Sequence, residues 1–469
     1  MPGPRPMNAP RSRRHFLKTG AIAALSAASW NRVLGANDRI GVGMIGVGLM
    51  GRIHQRNFQA QPDVQIRAIS ETYRPRMDAA VALAGGAATR YPDFRHLLED
   101  KSIDAVVVAT PDHWHALMTM MACAAGKDVY VEKPLTLFAR EGRWMVEVMQ
   151  RHKRVVQCGT QQRSGPHYQK ARDLIRSGQL GDLVSVQCNF FRNVSPGFGT
   201  PADGPPPPEL DYNLWLGPAP LRPYNSNRAI YHFRWFWDYA GGQMTNLGAH
   251  SLDILHWITQ VPGPTAVSSS GGRFFLKDNC EVPDLQDAIF EYPGFNAICQ
   301  IRECAAGFDK STGSGLNFFG TRGSMSLTRQ GFAISPDKKE NPTDIVARII
   351  GGHPIGGPQP TPDPGPTEFR TEALVDKSGD AQDQYVRHTR NFLDCMKSRA
   401  QPVSDLESAH RVATACHLAN LSLRTGRKLR WDAAREEIIG DAAAHKMLVR
   451  PYRKPWDAEL KALRRSNLV

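Results

Sequence analysis

RIGVGMIGVGLMG, residues 39–51, is an apolar run broken by a glycine turn. Ile40, Val42, Met44 and Ile45 read as a strand, and Gly46-Val47-Gly48-Leu49-Met50-Gly51 follows directly as G-x-G-x-x-G. Arg52–Gln61 is helix-compatible. Each glycine has a job in such a turn. Gly46 allows the tight reversal, Gly48 lets backbone approach a pyrophosphate, and Gly51 lets helix and strand pack closely. The phosphates then sit on the free N–H groups of the helix start, at Leu49 and Met50. The stretch predicts a dinucleotide-binding βαβ unit.

Moving outward, Val64–Ile69 is a second apolar run that ends in Ser70-Glu71, twenty residues after Gly51. An acid there accepts hydrogen bonds from the ribose hydroxyls and repels a 2′-phosphate, so Glu71 favours NAD. Arg74 lies close by and leaves NADP possible. Residues 37–158 alternate strand-like and helix-like runs, the pattern of a parallel α/β sheet. Asp104–Ala109 is an apolar strand entering Thr110-Pro111-Asp112-His113-Trp114-His115, and Asp128–Val131 is another, ending at Glu132-Lys133-Pro134. Open α/β sheets place ligands at the C-terminal ends of their strands. Thr110, Pro111, His113, His115, Glu132 and Lys133 are therefore expected to face the cofactor.

The later chain is less regular. Tyr168–Ser177 reads as a helix and Leu183–Phe191 as a strand. Ser195–Leu221 is irregular, and Tyr231–Tyr239 is densely aromatic. Gly241-Gly242 opens a helix carrying Asn246, His250 and Asp253. Strand-like runs over 265–334 suggest one sheet. Residues 351–368 are rich in proline and glycine and read as a loop, and Ala381–Ser398 and Leu406–Thr425 have apolar residues at helical spacing. The organisation expected is a leader over 1–36, a nucleotide domain over 37–160, an α/β domain over 161–435 and a C-terminal extension over 436–469 that packs on the body.

The formal net charge of the 469 residues is +13, but Arg5, Arg11, Arg13, Arg14, Lys18 and Arg32 all lie in the acid-free leader. No basic block with interleaved aromatics follows, so nucleic acid is not an expected partner. Ser12-Arg13-Arg14-His15-Phe16-Leu17-Lys18 fits a twin-arginine export signal. Its apolar segment, Ala21–Ala28, is too short for an ordinary membrane span, so no stable insertion is expected. The eight cysteines form no C-x-x-C pair, although Cys299 and Cys304 are near enough in sequence to bond in an oxidising compartment. His113 and His115 lack a third ligand, and no metal is expected.

The motifs GVGLMG, DAVVVATPDHWH, GKDVYVEKP and GGQMTNLGAHSLD, in this order, resemble the Gfo/Idh/MocA oxidoreductase family. That family includes glucose–fructose oxidoreductase and inositol dehydrogenase. The leader and WLGPAP resemble its exported branch. The resemblance implies a Rossmann domain followed by an α/β domain on a large, mostly antiparallel sheet. It also implies a homodimer or homotetramer and a carbohydrate or polyol substrate. Lys133 matches the catalytic lysine and His250 the catalytic histidine. Asn246 stands where sugar and inositol dehydrogenases carry aspartate. An amide hydrogen-bonds a hydroxyl but does not take its proton as a carboxylate does.

The chemistry implied is alcohol oxidation. Nicotinamide takes the hydride while the protein holds the alcohol and removes its proton. Lys133 supplies a charge-assisted hydrogen bond, and His250 titrates in the range of a general base. Arg163, Trp237, Asn246 and His250 are the expected substrate contacts, with Trp215, Tyr231 and Trp235 as possible stacking surfaces. Two alternatives stay open: NAD-dependent glycoside cleavage by oxidation and elimination without net redox, and a non-catalytic nucleotide- or sugar-binding protein.

Overall fold

The computed structural model describes residues 39–306, 314–339 and 368–465. The expected leader, and all but the last residue of the 351–368 loop, lie outside the described residues. The first half runs β1 (Ile40–Ile45), α1 (Leu49–Gln59), β2 (Val64–Ser70), α2 (Arg74–Leu83), β3 (Thr89–Tyr91), α3 (Phe94–Glu99), β4 (Ala105–Val108), α4 (Asp112–Ala124), β5 (Asp128–Val131), α5 (Ala139–His152) and β6 (Val156–Cys158). These strands form one parallel sheet in the order β3-β2-β1-β4-β5-β6, the doubly wound Rossmann arrangement. β4 and β5 are buried along their whole length, as strands covered on both faces are; β4 is wholly apolar, and the one charge of β5, Asp128, is paired with Arg399. The strand order reverses between β1 and β4. The glycine turn leaves β1 there and Thr110-Pro111 leaves β4, so a crevice opens between them.

The second half continues with α6 (Pro166–Arg176), β7 (Leu183–Phe191), α7 (Tyr212–Leu216), α8 (Gly242–Asn246), α9 (Gly248–Thr259), β8 (Ala266–Gly272), β9 (Leu285–Tyr292), β10 (Phe295–Arg302), β11 (Ser314–Gly320), β12 (Gly323–Thr328), β13 (Gly331–Pro336), β14 (Leu374–Asp376), α10 (Ala381–Ser398), α11 (Leu406–Thr425), β15 (Leu429–Asp432), β16 (Glu437–Ile439), α12 (Ala442–Lys446) and α13 (Trp456–Arg465). Its ten strands make one sheet, ordered β14-β13-β12-β11-β7-β10-β9-β8-β15-β16. Among the described residues of this sheet only β7 and β10 pair in parallel; the other neighbours are antiparallel. Both expected domains of the fold class, Rossmann and large mixed sheet, are present.

α10 and α11 occupy the predicted spans because their ends are chemically marked. Asp380 and Asp405 accept hydrogen bonds from first-turn N–H groups, and Gly426 ends α11 at φ +64°. α11 has two apolar faces. Leu406, Ala409 and Ala413 join the nucleotide-domain core, while Val412, Ala415, Cys416 and Ala419 join the core over the large sheet. α10 packs Phe392 and Leu393 against the other face of the nucleotide domain, beside Val42, Met44, Phe58 and Tyr130. Each such buried side chain contributes about 1.5–3 kcal/mol. The extension adds Tyr452, Trp456 and Leu460 to the opposite face, with Trp456 centred 4.8 Å from the Trp114 ring. All eight cysteines are free thiols, so Cys299 and Cys304 are not bonded to each other.

Candidate active site

The crevice is a partly open cleft running from the glycine turn to α8. At one end Gly46 adopts φ +83°, a left-handed conformation in which a Cβ would lie 2.8 Å from the Ala109 carbonyl oxygen. A Cβ on Gly51 would lie 2.1 Å from the Gly46 carbonyl oxygen. Helix and turn therefore touch backbone to backbone. A Cβ on Gly48 would meet only the Arg76 guanidinium, at 3.4 Å, so this residue borders open space. No side chain caps α1 and no acid sits in its first turn, which leaves its leading N–H groups and positive dipole end facing the cleft. The Thr110 hydroxyl is buried without a partner among the described residues and lines the same space. The free N–H groups of the acid-free first turn of α1 fit a pyrophosphate. Leu49, Met50, Pro111, His115, Glu132 and Lys133 also border the cleft.

Glu71 does more than its sequence position implied. Its Oε2 accepts the Val47 N–H at 3.0 Å, and its Oε1 accepts those of Thr72 at 2.8 Å and Tyr73 at 3.1 Å. The carboxylate pins the glycine turn to the end of β2 while bordering the cleft. Arg74, the expected modifier of cofactor choice, is exposed and 3.8 Å from Glu209, whereas Arg76 forms part of the cleft wall.

His113 and His115 separate. Helix α4 begins at Asp112, so both histidines are helical and residues two apart point about 200° apart. His115 lines the cleft and bridges two strand ends, 2.7 Å from the Pro134 carbonyl and 2.9 Å from that of Thr110. His113 is not a cleft residue. It is buried between the rings of Trp215 and Tyr239, donates to the Trp215 carbonyl at 3.0 Å, and burial pushes its pKa down to about 3.

At the other end, Lys133 Nζ donates to Asn246 Oδ1 at 2.8 Å and to its backbone oxygen at 3.0 Å. Asn246 Nδ2 donates to Gln243 Oε1 at 2.9 Å, and Gln243 Nε2 donates to Glu303 Oε1 at 2.8 Å. Arg192 holds that carboxylate at 2.5 Å. The chain of donors explains an amide at 246: one atom accepts from the lysine while the other donates onward. Burial, joined by the charges of Arg234 and Arg329, pulls the Lys133 pKa below its usual value, against the opposing pull of Glu132. Glu132 itself is buried, which acts to raise its pKa, but His54 at 2.6 Å and Gln161 at 2.8 Å hold it below the ordinary value.

The aspartate common at position 246 would favour the ammonium form. Asn246→Asp is therefore expected to raise the Lys133 pKa and move the acid limb of the rate profile up by about one pH unit or more. A pH series of initial rates checks this; an unmoved limb means another group titrates there.

His250 stands on a different helix from Asn246 and, unlike it, is not among the residues lining the cleft. The helix breaks at Leu247, so Asn246 ends α8 and His250 lies in the first turn of α9. Its Nδ1 is buried without a partner among the described residues. Burial first, then the charges of Lys133 and Arg329, lower its pKa well below the usual value and keep the ring neutral. Arg163 is not placed to bind substrate. It is buried in a two-pronged pair with Asp253, at 2.6 and 2.9 Å, and also donates to Val403 and Ser408. Trp237 lies outside the cleft wall beneath the Arg424 guanidinium, 5.1 Å from the ring centre. Trp215 and Tyr231 do line the cleft, with Phe233 and Arg234, which sequence reasoning missed; Trp235 does not. Among the described residues no group of three His, Cys, Asp or Glu is set to hold a metal ion, and no helix is long and apolar enough to cross a membrane.

Residues 40–160 match the family model for the NAD-binding Rossmann fold of the Gfo/Idh/MocA oxidoreductases, and residues 198–268 and 371–458 match its C-terminal alpha/beta domain. The chain belongs to the Gfo/Idh/MocA family. Its first half is an NAD-binding domain of that family's oxidoreductases. The uncharacterized oxidoreductase YrbE of Bacillus subtilis is 26% identical over 296 residues, 61% of this chain and 73% of that protein. The rhizopine catabolism protein MocA of Rhizobium meliloti is 28% identical over 50% of this chain, and inositol 2-dehydrogenase 1 of Saccharopolyspora erythraea is 34% identical over 31%. The chain spans only 62% and 44% of those two proteins. Levoglucosan dehydrogenase, solved with NADH and levoglucosan, shares the fold with a TM-score of 0.63 at 16% identity, over 84% of this chain and 99% of that one.

Proposed function

We propose that this Gfo/Idh/MocA protein oxidises a secondary hydroxyl of a sugar, glycoside or polyol. The carrying observation is Lys133, whose amine is fixed by Asn246 in the cleft that opens from the glycine turn. NAD, held by the turn, Glu71 and Thr110, supplies the hydride acceptor. Lys133 orients the hydroxyl and takes its proton; the substrate's C–H electron pair and hydrogen leave as hydride, and a carbonyl remains. Neutral Lys133 is the form that accepts a proton, and burial favours that form. His250, kept neutral by burial and by the charge of Lys133, is the group to which the lysine would pass that one proton on. The inositol and levoglucosan dehydrogenases among the similar proteins support the substrate class.

The test starts with protein purified without added nucleotide. Any dinucleotide released on denaturation is identified by mass, and NADH absorbance is followed in single turnover with a panel of sugars, glycosides and polyols. Formation of NADH with one of them is expected. Aglycone release without net NADH would replace the reading by oxidation–elimination, and no reaction with any of them would sink it. The reading includes export, supported by Ser12–Lys18. It also includes a homo-oligomer, supported by exposed Ile289 and Phe319 on the outer face of the large sheet.

A further inference from the structure

The substrate end of the cleft carries more positive charge than its neighbours neutralise. Arg234 stands on the short turn His232–Trp235 and lines the cleft with Lys133, Asn246, Trp215 and Tyr231. Its guanidinium lies over the Phe233 ring, 4.5 Å from the centroid, and makes one long hydrogen bond, 3.3 Å, to the Tyr231 carbonyl. No carboxylate among the described residues pairs with it at salt-bridge distance. The nearby acids are otherwise engaged. Glu132 is saturated by His54, Gln161 and the Lys133 N–H. Asp112 is buried, and burial raises its pKa against the charges of His115, Arg234 and Lys133. Lys133 itself is bonded to a neutral amide rather than to an acid.

A half-buried guanidinium with aromatic packing and no anion is a poor arrangement for an empty cleft and a good one for an anionic ligand. Its planar fork matches the two oxygens of a carboxylate. The cofactor's phosphates have their own cradle at the start of α1, where Arg76 already supplies a cation.

We propose that the substrate is a sugar acid whose carboxylate is received by Arg234 while Lys133 engages a secondary hydroxyl. This rests on the oxidoreductase reading above and narrows its substrate class.

The NAD-containing protein is titrated calorimetrically with glucuronate and galacturonate, with glucose and galactose, and with glucose 6-phosphate, and initial rates are taken on the same set. The expected result is binding of a uronate roughly 10-fold or more tighter than its neutral counterpart, the scale of one hydrogen bond to a charged group. Arg234→Met should erase that preference through KM, and Arg234→Lys should restore part of it. Circular dichroism establishes that both variants are folded; should Arg234→Met fail to fold, the wild-type preference and Arg234→Lys decide. Equal binding of acidic and neutral sugars, a preference that survives Arg234→Met, or tighter binding of the phosphate overturns the proposal and leaves alcohol oxidation standing. Lost NAD affinity in Arg234→Met also overturns it, by assigning the guanidinium to the cofactor. Absence of hydride transfer with every sugar, acidic or neutral, removes the oxidoreductase reading and this inference with it.

Discussion

Lys133→Met is expected to lower kcat/KM by roughly 10²–10⁴-fold, the range for loss of a positioned proton-transfer group. The substitution keeps an unbranched apolar stem and removes the terminal nitrogen. Two hydrogen bonds to Asn246 are lost, so the hydroxyl has neither donor nor acceptor at that position. NAD binding should change little, because the turn, Glu71 and Thr110 are untouched. The pH profile separates this role from a merely structural one. Lys133 is protonated below its lowered pKa and cannot accept a proton there, so the wild-type rate rises with pH through that value. The residual activity of Lys133→Met should lack that rise. A variant that keeps both the rate and the acid limb would assign the proton transfer to another residue.

Gly51→Val should remove the bound cofactor altogether. A Cβ at 51 falls 2.1 Å from the Gly46 carbonyl oxygen, and that contact is backbone, so no side chain can swing away. The helix start must move off the turn, which costs about 3 kcal/mol or more by the scale of overpacked sites. The displaced N–H groups also lose their aim at the pyrophosphate. A lower melting temperature and purification free of nucleotide are the expected results. Gly204→Ala is the control. Its Cβ meets nothing within 4 Å, and a change of at most about 0.5 kcal/mol is expected. If Gly51→Val retains stoichiometric NAD, the close approach of turn and helix is not needed for binding.

Much of this architecture was legible because its signals are local. Glycines at fixed spacing, an acid ending β2, apolar runs of strand length and capped helices at 381–398 and 406–425 all report on residues a few positions away. The place of Lys133 at a strand end follows from the same local signals, whereas its role and the interest of Asn246 came only from the family resemblance. What failed depended on distance or on phase. The partner that occupies Arg163 is Asp253, ninety positions on, and nothing near 163 announces it. His113 and His115 looked equivalent as a strand end, but the helix that starts at Asp112 turned one inward. The continuous helix expected through Asn246 and His250 is interrupted at Leu247, which no periodicity marks. Arg234 lies in an aromatic stretch without a repeat, and only its return to the cleft, a hundred positions after Lys133, gives it meaning.

The nucleotide domain is also finished by residues far downstream. One face of its parallel sheet is closed by Phe392 and Leu393, the other by Leu406, Tyr452 and Trp456. During synthesis the first domain therefore emerges with its own helices on both faces of the sheet but with part of each apolar face still uncovered. The hydrophobic cores of this domain are complete only once the residues up to Trp456 have been made.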